Sequence, residues 1–296
     1  MKIIVSLFLS ISFFSFSQEE IPVIDFVSGD YPTEEKVKIY FDKDWKPTMD
    51  KDSATYYREI KFTKKNVSSS RINDYYLNGS IQSTFYSNYV GLDTNGKDSI
   101  TNAGPLVIYY QNGNKSKSST YFNNLPVGEE IGYYESGEVS FTGNYVDGLQ
   151  QGEKIGYYKS GEVQSTLNYV DGLLQGENIA YYESGEVEFT RNWVDDLKQG
   201  KIIAYYKSGE VEYTLNYVDD LAQGQNINYY ESGEVEFTRN WLDDLKQGEE
   251  IAYYESGEVE KKVNYVDDLA QGQQIGYYES GEVEFRKNFI DDLAQG

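Results

Sequence analysis

Glutamates recur in pairs along this chain, and paired carboxylates are the groups with which an enzyme could perform general acid–base chemistry. Each pair flanks a Ser-Gly step, and the pairs are Glu135/Glu138, Glu183/Glu186, Glu231/Glu234, Glu255/Glu258 and Glu279/Glu282. Such catalysis needs one carboxyl group whose pKa is raised by a dry pocket. A Ser-Gly step is typical of a solvated turn, and catalysis would not require several equal copies. We therefore predict that the protein is not an enzyme.

The absence of two residue types narrows the possible chemistry further. The chain has no histidine and no cysteine, which excludes a Ser-His-Asp triad, a cysteine nucleophile and a typical zinc site. Calcium could neutralise opposed glutamates, and turns of the Asp195-Asp196 type would add oxygen ligands. The favoured interpretation is a solvated acidic edge that keeps an aromatic sheet soluble. We expect no cofactor, with calcium as the alternative.

Composition indicates a thin, extended β-protein. The 296 residues include 30 Tyr and 14 Phe, and 16% of the chain is aromatic although only 39% is hydrophobic. Aromatic residues favour strands, and the hydrophobic content is low for a two-layer core. The formal net charge of −23 would repel nucleic acid and anionic lipid surfaces. We expect no nucleic acid partner.

The first residues are typical of an export signal. Lys2 supplies a positive start, Ile3–Phe16 form an apolar run, and Ser15–Ser17 provide small residues before a predicted cut at Gln18. The run is too short for a comfortable membrane span, and no later segment is apolar enough to span a bilayer. A buried N-terminal strand is the alternative. We predict a signal peptide over 1–17 and an exported protein that is periplasmic, on the outer surface or extracellular.

Self-similarity organises the rest of the chain. A Tyr-Tyr-Glu/Lys-Ser-Gly-Glu-Val segment recurs every 24 residues, beginning at Tyr133, Tyr157, Tyr181, Tyr205, Tyr229, Tyr253 and Tyr277. This period predicts eight tandem repeats over 105–296, of which 105–128 is degenerate. Residues 18–104 are predicted to cap the first repeat, since the ends of a solenoid need a polar cover. They would include one more degenerate repeat near 74–90.

Alternate repeats resemble each other more closely than neighbouring repeats do. Residues 177–200 and 225–248 differ only at positions 177, 180 and 194 of the first copy. A recent duplication of a two-repeat block would explain this pattern and would let copy number vary. Such variation suits a modular surface better than a single unique site.

Each repeat is predicted to be a β-hairpin with the Ser-Gly step at its tip. Degenerate copies place Asn112-Gly113 and Asn78-Gly79 at this position, and Asn-Gly is the strongest short signal of a hairpin. A two-residue loop would then fix the register of the two strands. The pairs that it predicts are Glu135 with Glu138, Tyr134 with Val139, and Gly132 with Phe141.

That register places aromatic side chains in two columns on one face of the sheet. The predicted interaction surface consists of Tyr145, Tyr169, Trp193, Tyr217, Trp241, Tyr265, Phe289, Phe141, Phe189, Tyr213, Phe237 and Phe285. Three other columns, those of Ile131, Val139 and Leu149, are invariant in the seven good copies and are predicted to be buried by stacking. The predicted fold is all-β: an elongated, single-layer antiparallel meander of repeated 24-residue β-hairpins.

The repeat resembles a known family. The pattern Tyr145-x-x-Gly148-x-x-x-Gly152, followed by Gly156-Tyr157-Tyr158-x-x-Gly161, is similar to the MORN repeat. It is most similar to the bacterial variant found in proteins labelled as YwqK-type antitoxins. The resemblance covers 105–296 and, weakly, 74–90. It implies a MORN-like solenoid of β-hairpins that acts as a scaffold or binds other proteins or membranes. An acidic sheet does not attract anionic headgroups, which disfavours membranes.

The leading functional hypothesis is an exported, non-enzymatic scaffold that binds another protein along an acidic, aromatic sheet. A cell-wall or glycan-binding module is the first alternative, because regularly spaced Tyr and Trp rings can stack on sugars. The resemblance implies a second alternative, in which the chain is the antitoxin component of a toxin–antitoxin system.

Overall fold

The computed structural model describes residues 36–45, 47–48, 51–61, 70–92 and 98–295, and the predicted signal peptide lies outside them. Every regular element in these residues is a β-strand, as predicted. The chain divides into two compact units, Met1–Leu149 and Gln150–Gly296. Within the described ranges no helical segment has the length and hydropathy that crossing a bilayer would require.

The N-terminal unit is an antiparallel meander. Its strands are β1 (Lys36–Phe41), β2 (Pro47–Thr48), β3 (Tyr56–Lys61), β4 (Ser70–Tyr76), β5 (Ile81–Leu92), β6 (Asp98–Tyr109), β7 (Lys115–Phe122), β8 (Leu125–Tyr133) and β9 (Val139–Val146). β1 pairs with both β2 and β3, and each strand from β3 to β8 pairs with its successor. A two-residue strand, β10 (Leu149–Gln150), lies at the division between the units.

A small apolar core and a buried ion pair stabilise the N-terminal unit. Ile60, Ile72 and Phe85 are cross-strand partners on β3, β4 and β5, and they form a cluster in which no side chain is more than 7% exposed. The β-branched residues face each other across the sheet, which is the arrangement that favours strand pairing. Arg58 pairs with Asp74 on the same strands, with Arg58 Nε 2.6 Å from Asp74 Oδ1. Both side chains are almost fully buried.

The C-terminal unit repeats one hairpin several times. Its strands are β11 (Gly152–Tyr157), β12 (Val163–Val170), β13 (Leu173–Leu174), β14 (Gly176–Tyr181), β15 (Val187–Val194), β16 (Leu197–Tyr205), β17 (Val211–Val218), β18 (Leu221–Tyr229), β19 (Val235–Leu242), β20 (Leu245–Lys246), β21 (Gly248–Tyr253), β22 (Val259–Val266), β23 (Leu269–Tyr277), β24 (Val283–Ile290) and β25 (Leu293–Gln295). All pairings are antiparallel between neighbours. This confirms the predicted meander of β-hairpins.

The hairpin tip has a three-residue loop, one residue longer than predicted. The backbone N–H of Tyr134 donates to the carbonyl of Glu138 at 2.8 Å, and Gly137 N–H donates to the Tyr134 carbonyl at 2.9 Å. Gly137 has a φ of 111°, which is the left-handed glycine that a three-residue hairpin requires. The predicted pairing of Glu135 with Glu138 is therefore wrong, and Glu135 lies within the loop.

A register shift next to the tip restores the predicted alignment of the aromatic residues. Tyr133 pairs with Val139, whereas Gly132 pairs with Phe141. The extra residue on the second strand is the mark of a β-bulge, which absorbs the longer loop. The predicted pair of Gly132 and Phe141 is therefore confirmed, whereas that of Tyr134 and Val139 is wrong. The same shift occurs in the hairpins that follow.

The leucine column is exposed, contrary to prediction. Leu149 is 50% exposed, and its equivalents up to Leu269 are between 39% and 40% exposed. Ile131 and Val139 are half-buried. Leucine lies next to the turn that joins two repeats, where only one strand flanks it, so stacking cannot cover it. The invariance of this column has some cause other than burial.

The turns between later repeats use two aspartates in a glycine-like conformation. Val194 pairs with Leu197, and between them Asp195 and Asp196 have φ values of 52° and 68°. This is a two-residue hairpin of the type that ordinarily has glycine at its second position. Asp196 Oδ1 accepts a hydrogen bond of 2.7 Å from the backbone N–H of Leu174. The carboxylate thus ties each turn to the preceding repeat and offsets the backbone strain.

Substitutions at one such turn should separate strain from hydrogen bonding. Asp220, with a φ of 70°, accepts a hydrogen bond of 2.9 Å from Lys198 N–H. Asp220→Ala loses this bond and keeps a left-handed residue with a Cβ, so we expect a loss of about 1–2 kcal/mol in unfolding free energy. Asp220→Gly loses the bond but relieves the strain, so its loss should be about 1 kcal/mol smaller. Urea unfolding measures both, and equal losses would contradict the strain argument.

Candidate interaction surfaces

The predicted aromatic residues lie on one face of each unit, where every ring is half-buried. Phe189 and Trp193 illustrate the arrangement, since they are four residues apart on β15 and therefore point to the same side. Each faces a small residue on β14, with Ala180 opposite Phe189 and Gly176 opposite Trp193. We call this side of each unit the aromatic face. At Gly132 and Gly276 an added Cβ would clash with the rings of Phe141 and Phe285, so these glycines leave the rings room to lie across the neighbouring strand, as predicted.

Cationic side chains lie against many of these rings. The Arg191 guanidinium is 4.7 Å from the Phe189 ring centroid and 4.9 Å from that of Trp193. Arg239 is 4.0 Å from the Phe237 ring. Lys198 and Lys246 lie 4.8 and 4.7 Å from the rings of Tyr217 and Tyr265, and Lys287 lies 5.1 Å from that of Phe285. These are favourable cation–π distances, and they cover part of the ring surface.

A column of buried polar side chains runs between the aromatic columns, and the sequence reasoning missed it. Asn178, only 1% exposed, donates to the Thr166 carbonyl at 2.8 Å and accepts from Arg191 Nε at 2.7 Å. In the N-terminal unit the equivalent residue is Glu130, whose Oε2 is 3.0 Å from Lys117 Nζ. Buried polar groups need such partners. Alternating polar positions in a strand ordinarily indicate a solvated face, so this burial could not be predicted from the sequence pattern.

A second surface lies at the turns between repeats. In each turn of the C-terminal unit two aliphatic residues pair across the loop, as Val194 does with Leu197. We define the aliphatic ridge as Val170, Leu173, Val194, Leu197, Val218, Leu221, Leu242, Leu245, Val266 and Leu269, which are between 39% and 52% exposed. Val194 follows Trp193 on β15, so the ridge faces away from the aromatic face.

Hydrogen bonds between successive turns fix the positions of the turns that carry the aliphatic ridge. Gln199 Nε2 donates to Asp219 Oδ1 at 2.8 Å, and Asp220 N–H donates to the Lys198 carbonyl at 3.1 Å. The same bond, from a glutamine side chain to an aspartate of the next turn, joins residues 175 and 195, 223 and 243, 247 and 267, and 271 and 291. From Asp195 onward, a pair of aspartates therefore lies between the two aliphatic residues of each turn.

A ladder of tyrosine hydroxyls links successive hairpins within each unit. In six Tyr-Tyr steps the second tyrosine donates to the carbonyl of the first tyrosine of the following repeat, as Tyr206 does to Tyr229 at 2.6 Å. The other bonds are those from Tyr110 to Tyr133, Tyr158 to Tyr181, Tyr182 to Tyr205, Tyr230 to Tyr253 and Tyr254 to Tyr277, each 2.7–2.8 Å long. The ladder accounts for the recurrence of the second tyrosine, whereas the first contributes only a backbone carbonyl, which any residue supplies.

The environment of the ladder raises the pKa of its hydroxyls. Desolvation is the largest cause of the raised pKa of Tyr206, followed by the charges of Glu212, Glu236 and Glu231. The same kinds of cause raise the pKa values of Tyr182 and Tyr230. The neutral hydroxyl, which is the form that donates to a carbonyl, is thereby favoured in the folded chain.

The raised pKa values predict a loss of stability in alkali. An unfolded tyrosine ionises near pH 10, whereas the folded hydroxyl keeps its proton to higher pH. The unfolded state therefore releases protons first, and rising pH favours it. The stabilisation is complete below about pH 10 and is lost as pH rises through the folded pKa. Urea midpoints between about pH 8 and 11 should fall, and replacing Tyr182, Tyr206 and Tyr230 by Phe should make the fall shallower.

The paired glutamates lie apart from both surfaces, at exposed hairpin tips. The pKa of Glu186 is lowered, mainly by a hydrogen bond from the Ser184 hydroxyl and then by a backbone hydrogen bond. A catalytic acid would need the opposite shift. In the described part of the chain, no three acidic side chains come together in a group that could hold a metal ion.

Sequence comparison identifies the repeats. The family model described as "MORN repeat variant" matches residues 126–147, 150–171, 198–219 and 246–267. This is a MORN-repeat protein. The stretches between these matches, such as 172–197, form the same hairpins with the same tips and tyrosine bonds, so the MORN repeats continue through them. A search of curated proteins finds no match.

The solved structures that this chain matches are only remotely similar to it. They include TcdB2-TccC3 without its hypervariable C-terminal region, 11% identical with a TM-score of 0.19, and the Tc holotoxin pore of Photorhabdus luminescens, 11% identical with a TM-score of 0.17. Both comparisons cover 82% of this chain and 16% of the other chain. A porin-like protein from Bacteroides uniformis is 10% identical, with a TM-score of 0.19 and coverages of 90% and 96%. No functional argument follows from similarities this low.

Proposed function

We propose that this MORN-repeat protein is an exported, non-enzymatic scaffold that binds a partner protein along the aliphatic ridge. The observation that carries the proposal is the exposure of ten aliphatic side chains in regular order on the turns of the C-terminal unit. Soluble proteins rarely expose ordered apolar patches without a binding role. The invariance of the leucines, which burial does not explain, is accounted for if a partner covers them.

Charge complementarity defines the partner. An aspartate pair lies between the two residues of four of the five aliphatic pairs of the ridge, such as Asp219 and Asp220 between Val218 and Leu221, and the whole chain has a net charge of −23. A partner that covers the ridge must present apolar side chains flanked by lysine or arginine, because uncompensated carboxylates at the rim would repel an acidic surface. Binding by such a partner should weaken as salt is added, mainly through slower association.

A matched pair of variants tests the proposal on the full chain. Val194→Ser, Leu197→Ser, Val218→Ser and Leu221→Ser remove the centre of the ridge. Glu183→Ser, Glu186→Ser, Lys207→Ser and Glu210→Ser change as many exposed residues at two hairpin tips. We expect the tip variant to capture the same protein as the wild type, and the ridge variant to lose it by at least about tenfold. Equal capture by both variants, at unchanged melting temperature, would contradict the proposal.

Export is the second part of the proposal, and it rests on the charged, apolar and small residues of 1–17. Intact mass measurement of the protein recovered from the periplasm or medium should give a chain that begins at Gln18. Recovery of a chain with residues 1–17 intact in the cytoplasm would contradict this part and leave the binding proposal standing.

The aromatic face supports a second candidate function, the binding of a cell-wall or other glycan. Its Tyr and Trp rings are half-buried rather than fully covered, and such rings can stack on sugars. The test is retention of the full chain on insoluble peptidoglycan or polysaccharide in high salt, where charge attraction is screened. Clean flow-through would remove this candidate.

A further inference from the structure

Two nearly identical repeats of the C-terminal unit place an arginine in different electrostatic surroundings. The segments 177–200 and 225–248 share the Phe-Thr-Arg-Asn-Trp sequence that contains Arg191 in one copy and Arg239 in the other. In both copies the guanidinium lies against a phenylalanine and a tryptophan on the aromatic face. The following repeat then supplies a different neighbour to each arginine.

Arg239 has a carboxylate partner within the chain. Glu250, on the next repeat, places Oε2 3.3 Å from Arg239 Nε, and its side chain is 9% exposed. Lys246 Nζ also lies 3.8 Å from the same oxygen. Neither Arg239 Nε nor Glu250 Oε2 has a partner in well-aligned hydrogen-bond geometry, so the contact is an ion pair that neutralises the buried charge.

Arg191 lacks such a partner. The residue two repeats before Glu250 is Ile202, which is 8% exposed. Among the described residues no carboxylate forms an ion pair with Arg191, whose Nε instead donates to Asn178 at 2.7 Å. Desolvation is the main cause that lowers the pKa of Arg191, which is the cost of a partly buried cation without a counter-ion.

We infer that Arg191 is a binding site for a glutamate or aspartate side chain of a partner protein. Glu250 beside Arg239 shows that a carboxylate neutralises the arginine of this repeat. At Arg191 the equivalent residue is the buried, apolar Ile202, so the carboxylate must come from outside the chain and reach the part of the guanidinium that is exposed to solvent. Arginine, tryptophan and tyrosine are the residue types enriched among the hot spots of protein interfaces, and hydrogen bonds to charged groups are the stronger ones.

Because the Arg191 guanidinium covers the neighbouring rings, an acidic side chain is a better ligand at this site than an acidic sugar. A sugar ring stacks on an open aromatic face, but the Arg191 guanidinium lies over both Phe189 and Trp193. The group offered to a ligand is therefore the cation rather than a ring. Since the site lies on the face opposite the aliphatic ridge, it does not depend on what the ridge binds.

Side-chain NMR of the full-length chain tests the assignment, because the chain has only five arginines, Arg58, Arg71, Arg191, Arg239 and Arg286. The probes are glutamate capped at both ends, capped glutamine as the neutral isostere, and glucuronate. We expect the capped glutamate to shift the Nε resonance of Arg191 and not that of Arg239, and the capped glutamine to shift neither. Ile202→Glu should weaken the Arg191 response at least about tenfold by supplying an internal carboxylate.

The reverse substitution provides the matched control. Glu250→Ile gives Arg239 the neighbour that Arg191 has, so the Arg239 resonance should then respond to capped glutamate. A silent Arg191, or equal responses of Arg191 and Arg239 in the wild-type chain, would overturn the inference. A stronger response to glucuronate than to capped glutamate would overturn the protein assignment in favour of an acidic glycan. These outcomes are independent of partner capture by the aliphatic ridge.

Discussion

Replacing Tyr182, Tyr206, Tyr230 and Tyr254 together by phenylalanine should lower the free energy of unfolding by about 4 kcal/mol. Each substitution removes one hydroxyl and the hydrogen bond of 2.6–2.7 Å that it donates to the next repeat. A hydrogen bond of this kind contributes about 1 kcal/mol net. The rings and their packing are retained, so the loss should come from the hydroxyls alone.

The first tyrosine of each Tyr-Tyr step provides the control. The same chemical change can be made at Tyr181, Tyr205, Tyr229 and Tyr253. In the described part of the chain, their hydroxyls donate no hydrogen bond. Replacing these four by phenylalanine should cost much less than the ladder variant. Urea unfolding followed by circular dichroism measures both. The ladder variant should also unfold over a broader range, because neighbour contacts are what make a repeat array cooperative. Equal losses in the two variants would refute the role of the ladder.

Asp74→Asn should destabilise the N-terminal unit by roughly 3–5 kcal/mol, the cost of leaving a buried charge without its partner. Arg58 Nε and Nη2 lie 2.6 and 3.0 Å from the two carboxylate oxygens of Asp74, and the Ser83 hydroxyl donates to Oδ2 at 3.1 Å. The guanidinium also lies 5.2 Å from the Phe41 ring. The substitution removes the charge and changes the shape of the side chain little.

Trp45 reports on this unit, since its ring stacks on Tyr56 at 4.7 Å and lies 5.6 Å from Arg58. With Trp193 and Trp241 replaced by phenylalanine, its fluorescence follows unfolding of the N-terminal unit. Glu129→Gln, at an exposed position of the same unit, is the matched control and should cost little. The double variant Arg58→Met, Asp74→Leu should lose less than the sum of the single losses, because an apolar pair carries no desolvation penalty. Additive losses would indicate that the ion pair is not coupled.

The fold of the repeats could be predicted because its signals are local. The Ser-Gly steps and the 24-residue period predicted hairpins, and the small residue at 132 was predicted to face a ring, as the pairing of Gly132 with Phe141 confirms. The aromatic residues were placed on one face for the same reason. The Arg58–Asp74 pair could not be predicted, because it depends on the alignment of two strands in the degenerate N-terminal region.

The predictions that failed concern turns and edges. A Ser-Gly step fits both two- and three-residue loops, and only the bonds of Tyr134 with Glu138 and Gly137 decide between them. The invariant leucines were taken for core residues because invariance among repeats does not distinguish burial within the chain from contact with a partner. Their exposure follows from their place beside a turn.

The sequence by itself determined the period, the hairpin as the repeating unit, the MORN family and the acidic character, because each of these follows from residues close together in the chain. Tertiary structure alone decided which side chains each repeat places against its neighbour. One example is the hydrogen bond from the Tyr206 hydroxyl to the Tyr229 carbonyl. Another is the ion pair between Glu250 and Arg239. Such contacts depend on the offset between adjacent hairpins, which the bulges and turn lengths set jointly and no single repeat contains.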